Sequence, residues 1–127
     1  LRCIEKEAAR QGLRQDILLE INIGAEESKS GFTPEEAIAV AAEMENYPSC
    51  RLCGLMAIPP ISEKPGDNCR YFEKIHTISV DIIGKNNHNS SMDILSMGMS
   101  GDFADAIACG STMIRVGTAI FGARHYL

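Results

Sequence analysis

No stretch of the 127-residue chain approaches the roughly 20 consecutive apolar residues of a membrane span, and no secretory signal pattern opens it. Nor is there a basic stripe. Acids and bases are interspersed and the formal net charge is -5, which argues against a phosphate-backbone partner such as nucleic acid. The five cysteines are odd in number and irregular in spacing, so no disulfide framework is expected and the thiols read as reduced. These absences predict a cytoplasmic protein with neither a nucleic-acid nor a membrane partner. What is present is an apolar fraction of 45%, ordinary for a globular chain, in a length that suits one modest domain with its own core. The chain opens on Leu1, not methionine, and residues 2–10 read as the middle of an amphipathic helix. A fragment of a longer protein is the simpler expectation.

Helical spacing holds to Gly12, which suits a C-cap, and the apolar run at 17–23 closed by Gly24 predicts a strand. A polar loop follows. Thr33, Pro34, Glu35 and Glu36 then supply an N-cap, a proline at the first helical position and acids in the first turn, predicting a helix to about residue 46. A second strand is expected over 52–58, stopped by Pro59 and Pro60, and a helix over 68–83 ended by Gly84. The alternation continues with a strand at 93–97, a helix at 102–109, a strand at 112–116 and a helical turn after Thr118. Four β-then-α units whose strands are apolar on both faces indicate a parallel sheet covered by helices. Both a doubly wound sheet and half of a TIM-type (β/α) barrel fit that pattern.

The stretch from Leu95 to Phe103, reading LSMGMSGDF, is a strand entering a tight turn and then a helix. Ser100 is placed to cap that helix, and the free N–H groups there suit an anion such as phosphate or sulfate. On this stretch alone the plainer reading is favoured: Ser100 is only a cap and the glycines only make the turn. The glycines are not spaced as in a nucleophile elbow. In the second stretch, from Met113 to Ala119, strand alternation puts Met113, Arg115 and Gly117 on one face and Ile114 and Val116 on the other. A buried arginine needs a carboxylate, several carbonyls or a polar ligand, so a structural ion pair and a ligand contact stand equal here. Together the two stretches end the last two strands, where barrels commonly build a phosphate site. Gly117 permits close approach of backbone to a ligand, and Thr118 adds a hydroxyl.

Four pieces in order, Asn22-Ile23-Gly24 with Lys29-Ser30-Gly31, Gly54 to Ile58, Ser96 to Ser100, and Arg115 to Arg124, resemble the successive signatures of the pyridoxal-phosphate homeostasis family. That family is similar to the barrel domain of alanine racemases. The resemblance implies that residues 1–127 are one partial domain, the C-terminal half of a (β/α)8 barrel, without catalytic residues of its own. It implies pyridoxal 5'-phosphate at the barrel mouth, with Ser100, Gly117 and Thr118 at the phosphate, Met99 beside them and Arg115 facing the pyridine nitrogen. An arginine, permanently protonated, can donate to that nitrogen but cannot readily give it a proton, which suits holding the cofactor more than carbanion chemistry. The family's cofactor-attaching lysine lies on an early strand that has no counterpart here. Lys6, Lys29, Lys64, Lys74 and Lys85 all fall in expected helices or loops, so covalent attachment is not expected. A racemase-like enzyme is the alternative, and self-association through two open sheet edges is a third reading.

Other features point elsewhere. Cys50 and Cys53 have C-x-x-C spacing, but no second pair follows and the motif enters a strand instead of a helix N-terminus. Cys3, Cys69 and Cys109 read as small core or half-buried residues. His76, His88 and His125 have no spacing that assembles a metal site, and each reads as a surface residue. Met56 and Met97 read as core, Asp93 is expected at the mouth opposite the ligand, and Arg124 as surface charge.

Overall fold

The computed structural model describes residues 1–62, 64–85 and 89–123. Helix α1 (Arg2–Gln11) ends at Gly12, whose positive φ of 66° a glycine tolerates best. Strand β1 (Gln15–Ile21) stops two residues before the expected end, where the Ile23 N–H turns back onto the Ile21 carbonyl at 2.9 Å. Helix α2 (Pro34–Ala42) starts in a capping box: Thr33 Oγ1 accepts from Glu36 N at 3.2 Å while Glu36 Oε2 accepts from Thr33 N at 2.8 Å. A 3-10 turn (Met44–Asn46) completes the expected helical stretch. Next come β2 (Cys50–Ala57), α3 (Cys69–Gly84), β3 (Ser90–Met99), α4 (Phe103–Ala108), β4 (Met113–Arg115) and the short α5 (Thr118–Phe121).

The four strands are parallel and lie in the order β1-β2-β3-β4. That order decides between the two sequence readings. A doubly wound sheet reverses direction at a switch point, whereas strands laid down in chain order with helices between them make an arc of a (β/α) barrel.

Register separates the faces of the arc. Leu19 pairs with Leu55 and Leu55 with Leu95, so these three side chains form one row, and all three are buried. That convex row packs with Phe72, Ile75 and Ile82 of α3 and with Ala37 and Ala41 of α2 in one core cluster. Burying each large aliphatic or aromatic side chain is worth about 1.5–3 kcal/mol, and this layer holds the fold. On the concave side Glu20, Met56, Ser96 and Met113 form the corresponding row, and Met113 there remains 44% exposed. Gly54 marks the register shift between β2 and β3: a Cβ there would lie 1.7 Å from the Ile94 carbonyl oxygen.

The N-terminal ends of the strands are closed by polar contacts. Asn89 Nδ2 donates toward the carbonyls of Met44, Tyr47 and Cys50 at 3.1, 3.1 and 2.7 Å, and Arg14 donates to its Oδ1. The Glu5 carboxylate accepts from the Ser49 N–H at 2.9 Å, tying α1 to the entry of β2.

Candidate functional site

At the opposite, C-terminal end, β3 turns into α4 through Ser100 and Gly101. Sequence reasoning assigned Ser100 as the cap of the helix that follows it, and the structure corrects this. The α4 helix has Asp102 at its N-cap, with no side-chain cap bond. Ser100 Oγ instead accepts from the backbone N–H of Gly117 and of Ala119, both at 3.2 Å, so it caps the helical turn of the next unit, 17 residues away. Its hydroxyl therefore joins the two strand-to-helix junctions.

Arg115 ends β4 half-buried, with none of the described acids as an ion-pair partner. Its Nη1 donates to the Ser96 carbonyl at 2.9 Å and to Ser96 Oγ at 2.6 Å, and Nη2 to the Ala57 carbonyl at 3.1 Å. Of the partners that the sequence left open, the carbonyls are the ones found. Burial pushes the guanidinium below its ordinary pKa, while the fields of Asp102 and Glu20 pull it back up. Three of the five guanidinium N–H groups are used among the described residues, which leaves two donors without a described partner.

Met99, Ser100, Arg115, Gly117 and Thr118 line one open cleft of ≈ 790 Å³ together with Gly101 and Phe121. The backbone N–H groups of Gly101 and Thr118 have no hydrogen-bond partner among the described residues. The glycines here differ from the one just before them. At Gly98, φ is +95° and a Cβ would come within 2.6 Å of the Ala106 Cβ, so backbone and packing both require glycine. Neither reason holds at Gly101 or Gly117, where a Cβ would meet nothing within 4 Å among the described residues. Met99 projects at 42% exposure, unlike the fully buried Met97.

The strand carrying Arg115 is shorter and more exposed than expected, because β4 lies at the end of the arc with a neighbour on one side only. Sequence reasoning missed Asn68 and Asp102. Asn68 Nδ2 donates to Asp102 Oδ2 at 2.8 Å, and Asp102 Oδ1 accepts from the Met99 N–H at 2.7 Å. An aspartate three residues after a strand's last residue is a turn signal that could have pointed to the second contact; nothing local points to the first.

Lys29 reaches the mouth from its loop, pairing with Glu26 and donating to the carbonyls of Ile58 and Pro59 at 3.4 and 3.2 Å. Lys6, Lys74 and Lys85 are exposed on or beside helices, and Lys64 lies in the loop before α3. Cys50 and Cys53 are buried in β2, and burial raises the Cys50 thiol. Cys109 is pushed up to about 11 by burial first and by the Cys69 thiol next. Cys3 is a further correction: it is exposed, because α1 turns that side away from the sheet. His76 is exposed on α3, and the expectations for His88, His125 and Arg124 fall outside the described residues. Among the described residues no group of three or more His, Cys, Asp or Glu side chains could hold a metal ion, and no helix is long and apolar enough to cross a membrane.

The family model of the alanine racemase N-terminal domain matches residues 1–125. The chain belongs to that family, which accounts for the parallel arc. Similar curated proteins carry the name pyridoxal phosphate homeostasis protein: one from Haemophilus influenzae is 46% identical over 87% of this chain and 46% of its own length. One from Aquifex aeolicus is 39% identical over 97% and 53%. The chain thus spans about half the length of the curated relatives it matches. Among solved structures, PipY of Synechococcus elongatus with PLP bound superposes with a TM-score of 0.79 at 26% identity, over 93% of this chain and 54% of that one. A diaminopimelate decarboxylase from Helicobacter pylori, at 14% identity and a TM-score of 0.72, shares the fold alone.

Proposed function

We propose that this chain is the cofactor-phosphate half of a pyridoxal 5'-phosphate-binding barrel, acting inside the cell in holding and handing over the cofactor without catalysing a reaction. The carrying observation is the pair of glycines at 101 and 117. Among the described residues neither backbone conformation nor any neighbouring atom requires glycine at these positions, yet both border the cleft where two amide N–H groups lack a described partner. A bound phosphate explains all of this at once, because it accepts from the amides and occupies the volume a side chain would take. Ser100, Gly117 and Thr118 are the residues for the phosphate, Met99 covers its side, and Arg115 has donors left for the pyridine nitrogen.

Bound pyridoxal phosphate would supply an electron sink. An arginine at its ring nitrogen keeps the ring neutral and that sink weak. Among the described lining residues Arg115 is the one ionisable side chain, so these residues offer no base or acid near neutral pH. Both features favour storage over racemase-like turnover. Attachment through a lysine of this chain is not part of the proposal, since Lys6, Lys74 and Lys85 lie on or beside helices, Lys29 is engaged with Glu26, and Lys64, in the loop before α3, is not among the described residues that line the cleft.

The test is a titration of pyridoxal phosphate into the full polypeptide and its Gly117→Val variant, followed by cofactor fluorescence. A Cβ at this position meets nothing within 4 Å among the described residues, so the melting temperature should hold while affinity falls about 10-fold or more, the equivalent of 1.4 kcal/mol. Equal affinities would remove Gly117 from the site.

The domain reading is likewise proposed: residues 1–127 form one partial barrel with β1 and β4 as its edges. The half-exposed concave row and these edges are covered by the remainder of the polypeptide where it is present, and by a second copy where this stretch is isolated. Light scattering on the isolated stretch should give at least a dimer; a monodisperse monomer contradicts the second-copy arrangement.

A further inference from the structure

The turn that would receive the phosphate is short, contains a glycine with open space around it, and is followed by a helix of only six residues. Such a turn needs an outside anchor if its amides are to stay aimed. Asp102 closes it from within: its Oδ1 accepts from the Met99 N–H at 2.7 Å and its own N–H donates to the Met99 carbonyl at 3.1 Å. Its second carboxylate oxygen faces out of the turn and takes the Asn68 amide at 2.8 Å.

Asn68 belongs to a different β/α unit. It is 5% exposed, directly precedes α3, and its carbonyl accepts from Phe72, a fully buried core residue, at 3.1 Å. Nearby, the Gly66 N–H donates to Asp105 Oδ2 at 2.7 Å, a second link from the same lead-in segment to α4. A continuous path therefore runs from the core through Asn68 and Asp102 to the turn, and through Ser100 to the amides of Gly117 and Ala119.

We propose that Asn68 and Asp102 are positioning residues for the phosphate of the bound cofactor: through two hydrogen bonds they fix the Met99–Asp102 turn against the core, without touching the ligand. The proposal rests on the cofactor reading above and extends it to a pair outside the cleft's lining. Preorganised donors cost nothing to orient on binding, whereas a loose turn must be ordered each time. The carboxylate contributes shape here, since its negative charge opposes an incoming phosphate. The two properties can be separated. In Asp102→Asn the Oδ1 acceptor for Met99 remains, and a rotated Asn68 amide can still bond the new side chain, while the charge is gone.

The experiment measures affinities of the full polypeptide for pyridoxal phosphate and for pyridoxal, which lacks the phosphate. Asn68→Ala and Asp102→Ala should lower the ratio of the two affinities about 10-fold, the effect of losing about 1.4 kcal/mol on the phosphate alone. Asp102→Asn should retain the ratio or raise it. An unchanged ratio in both alanine variants, with cofactor still bound by the parent, overturns the positioning role and leaves the cofactor reading standing. A parent that binds no pyridoxal phosphate overturns both. Should Asp102→Ala fail to fold, Asn68→Ala and Asp102→Asn decide the question between them, because a purely structural role would change both affinities in parallel.

Discussion

At the N-terminal ends of the strands, the carbonyls of Met44, Tyr47 and Cys50 converge on one amide, that of Asn89, which is itself 8% exposed. At the C-terminal ends, the Gly101 and Thr118 N–H groups point to no partner among the described residues, and Arg115 keeps two donors spare. Each end must deal with backbone groups that the ladder and helices leave over. One end saturates them from within the chain and so gains order; the other leaves them available, as the proposed anion site requires. Stability at the bottom of the strands and chemistry at the top is the division common to parallel barrels, and the proposed site fits this arc to that division.

The contrast is broken most severely at the closed end. Asn89→Ala leaves three carbonyls facing a methyl group in a place with little access for water. A buried acceptor left without a partner costs about 1–3 kcal/mol, so the variant should lose about 3 kcal/mol with the three counted as partly rehydrated. Chemical denaturation of the full polypeptide should show a lower midpoint with an unchanged slope. Its affinity for pyridoxal phosphate, measured where it is still folded, should stay within about 2-fold of the parent, well under the 10-fold that 1.4 kcal/mol represents. A large loss of affinity would mean that the two ends are coupled and that the division drawn here is wrong.

The parts of this division that were legible in the sequence are those that depend on local pattern. Thr33-Pro34-Glu35-Glu36 carries its own capping box, Gly12 its own C-cap, and the alternation of apolar runs with helical spacing gives four units. The Ser96-to-Ser100 and Arg115-to-Thr118 pieces were readable as the ends of the last two strands because the apolar runs close there on glycines. What was not legible is which group each polar side chain meets. Ser100 stands before a helix and reads as its cap, yet the amides it serves lie in the next unit, and only the curvature of the sheet brings them together. The same limit hid Asn68, 34 residues from its partner Asp102, and left the partner of Arg115 open among carboxylate, carbonyl and ligand. Strand length was overread at β4 for a related reason: a ladder needs a neighbour, and at the edge of the arc there is one on a single side.

A smaller effect sharpens the comparison at the open end, where Arg115 also serves three acceptors: the Ser96 carbonyl, Ser96 Oγ and the Ala57 carbonyl. By count alone, Arg115→Met should cost as much as Asn89→Ala. The environments differ. Ser96 and Ala57 are themselves buried, but the guanidinium between them and the solvent borders an open cleft, so its removal opens a path for water to the acceptors, and the loss should reduce to the net worth of ordinary hydrogen bonds, about 1 kcal/mol. Methionine also covers the same apolar surface as the arginine stem, which limits any packing loss. Cofactor affinity should fall while pyridoxal and pyridoxal phosphate weaken together, because in the proposed arrangement the lost donors face the ring and not the phosphate. That parallel loss separates this variant from Asn68→Ala, whose effect falls on the phosphate. Thermal melts of Arg115→Met and Asn89→Ala side by side decide the matter: similar shifts for both would show that the mouth is as dry as the base and that its donors are not held in reserve for a ligand.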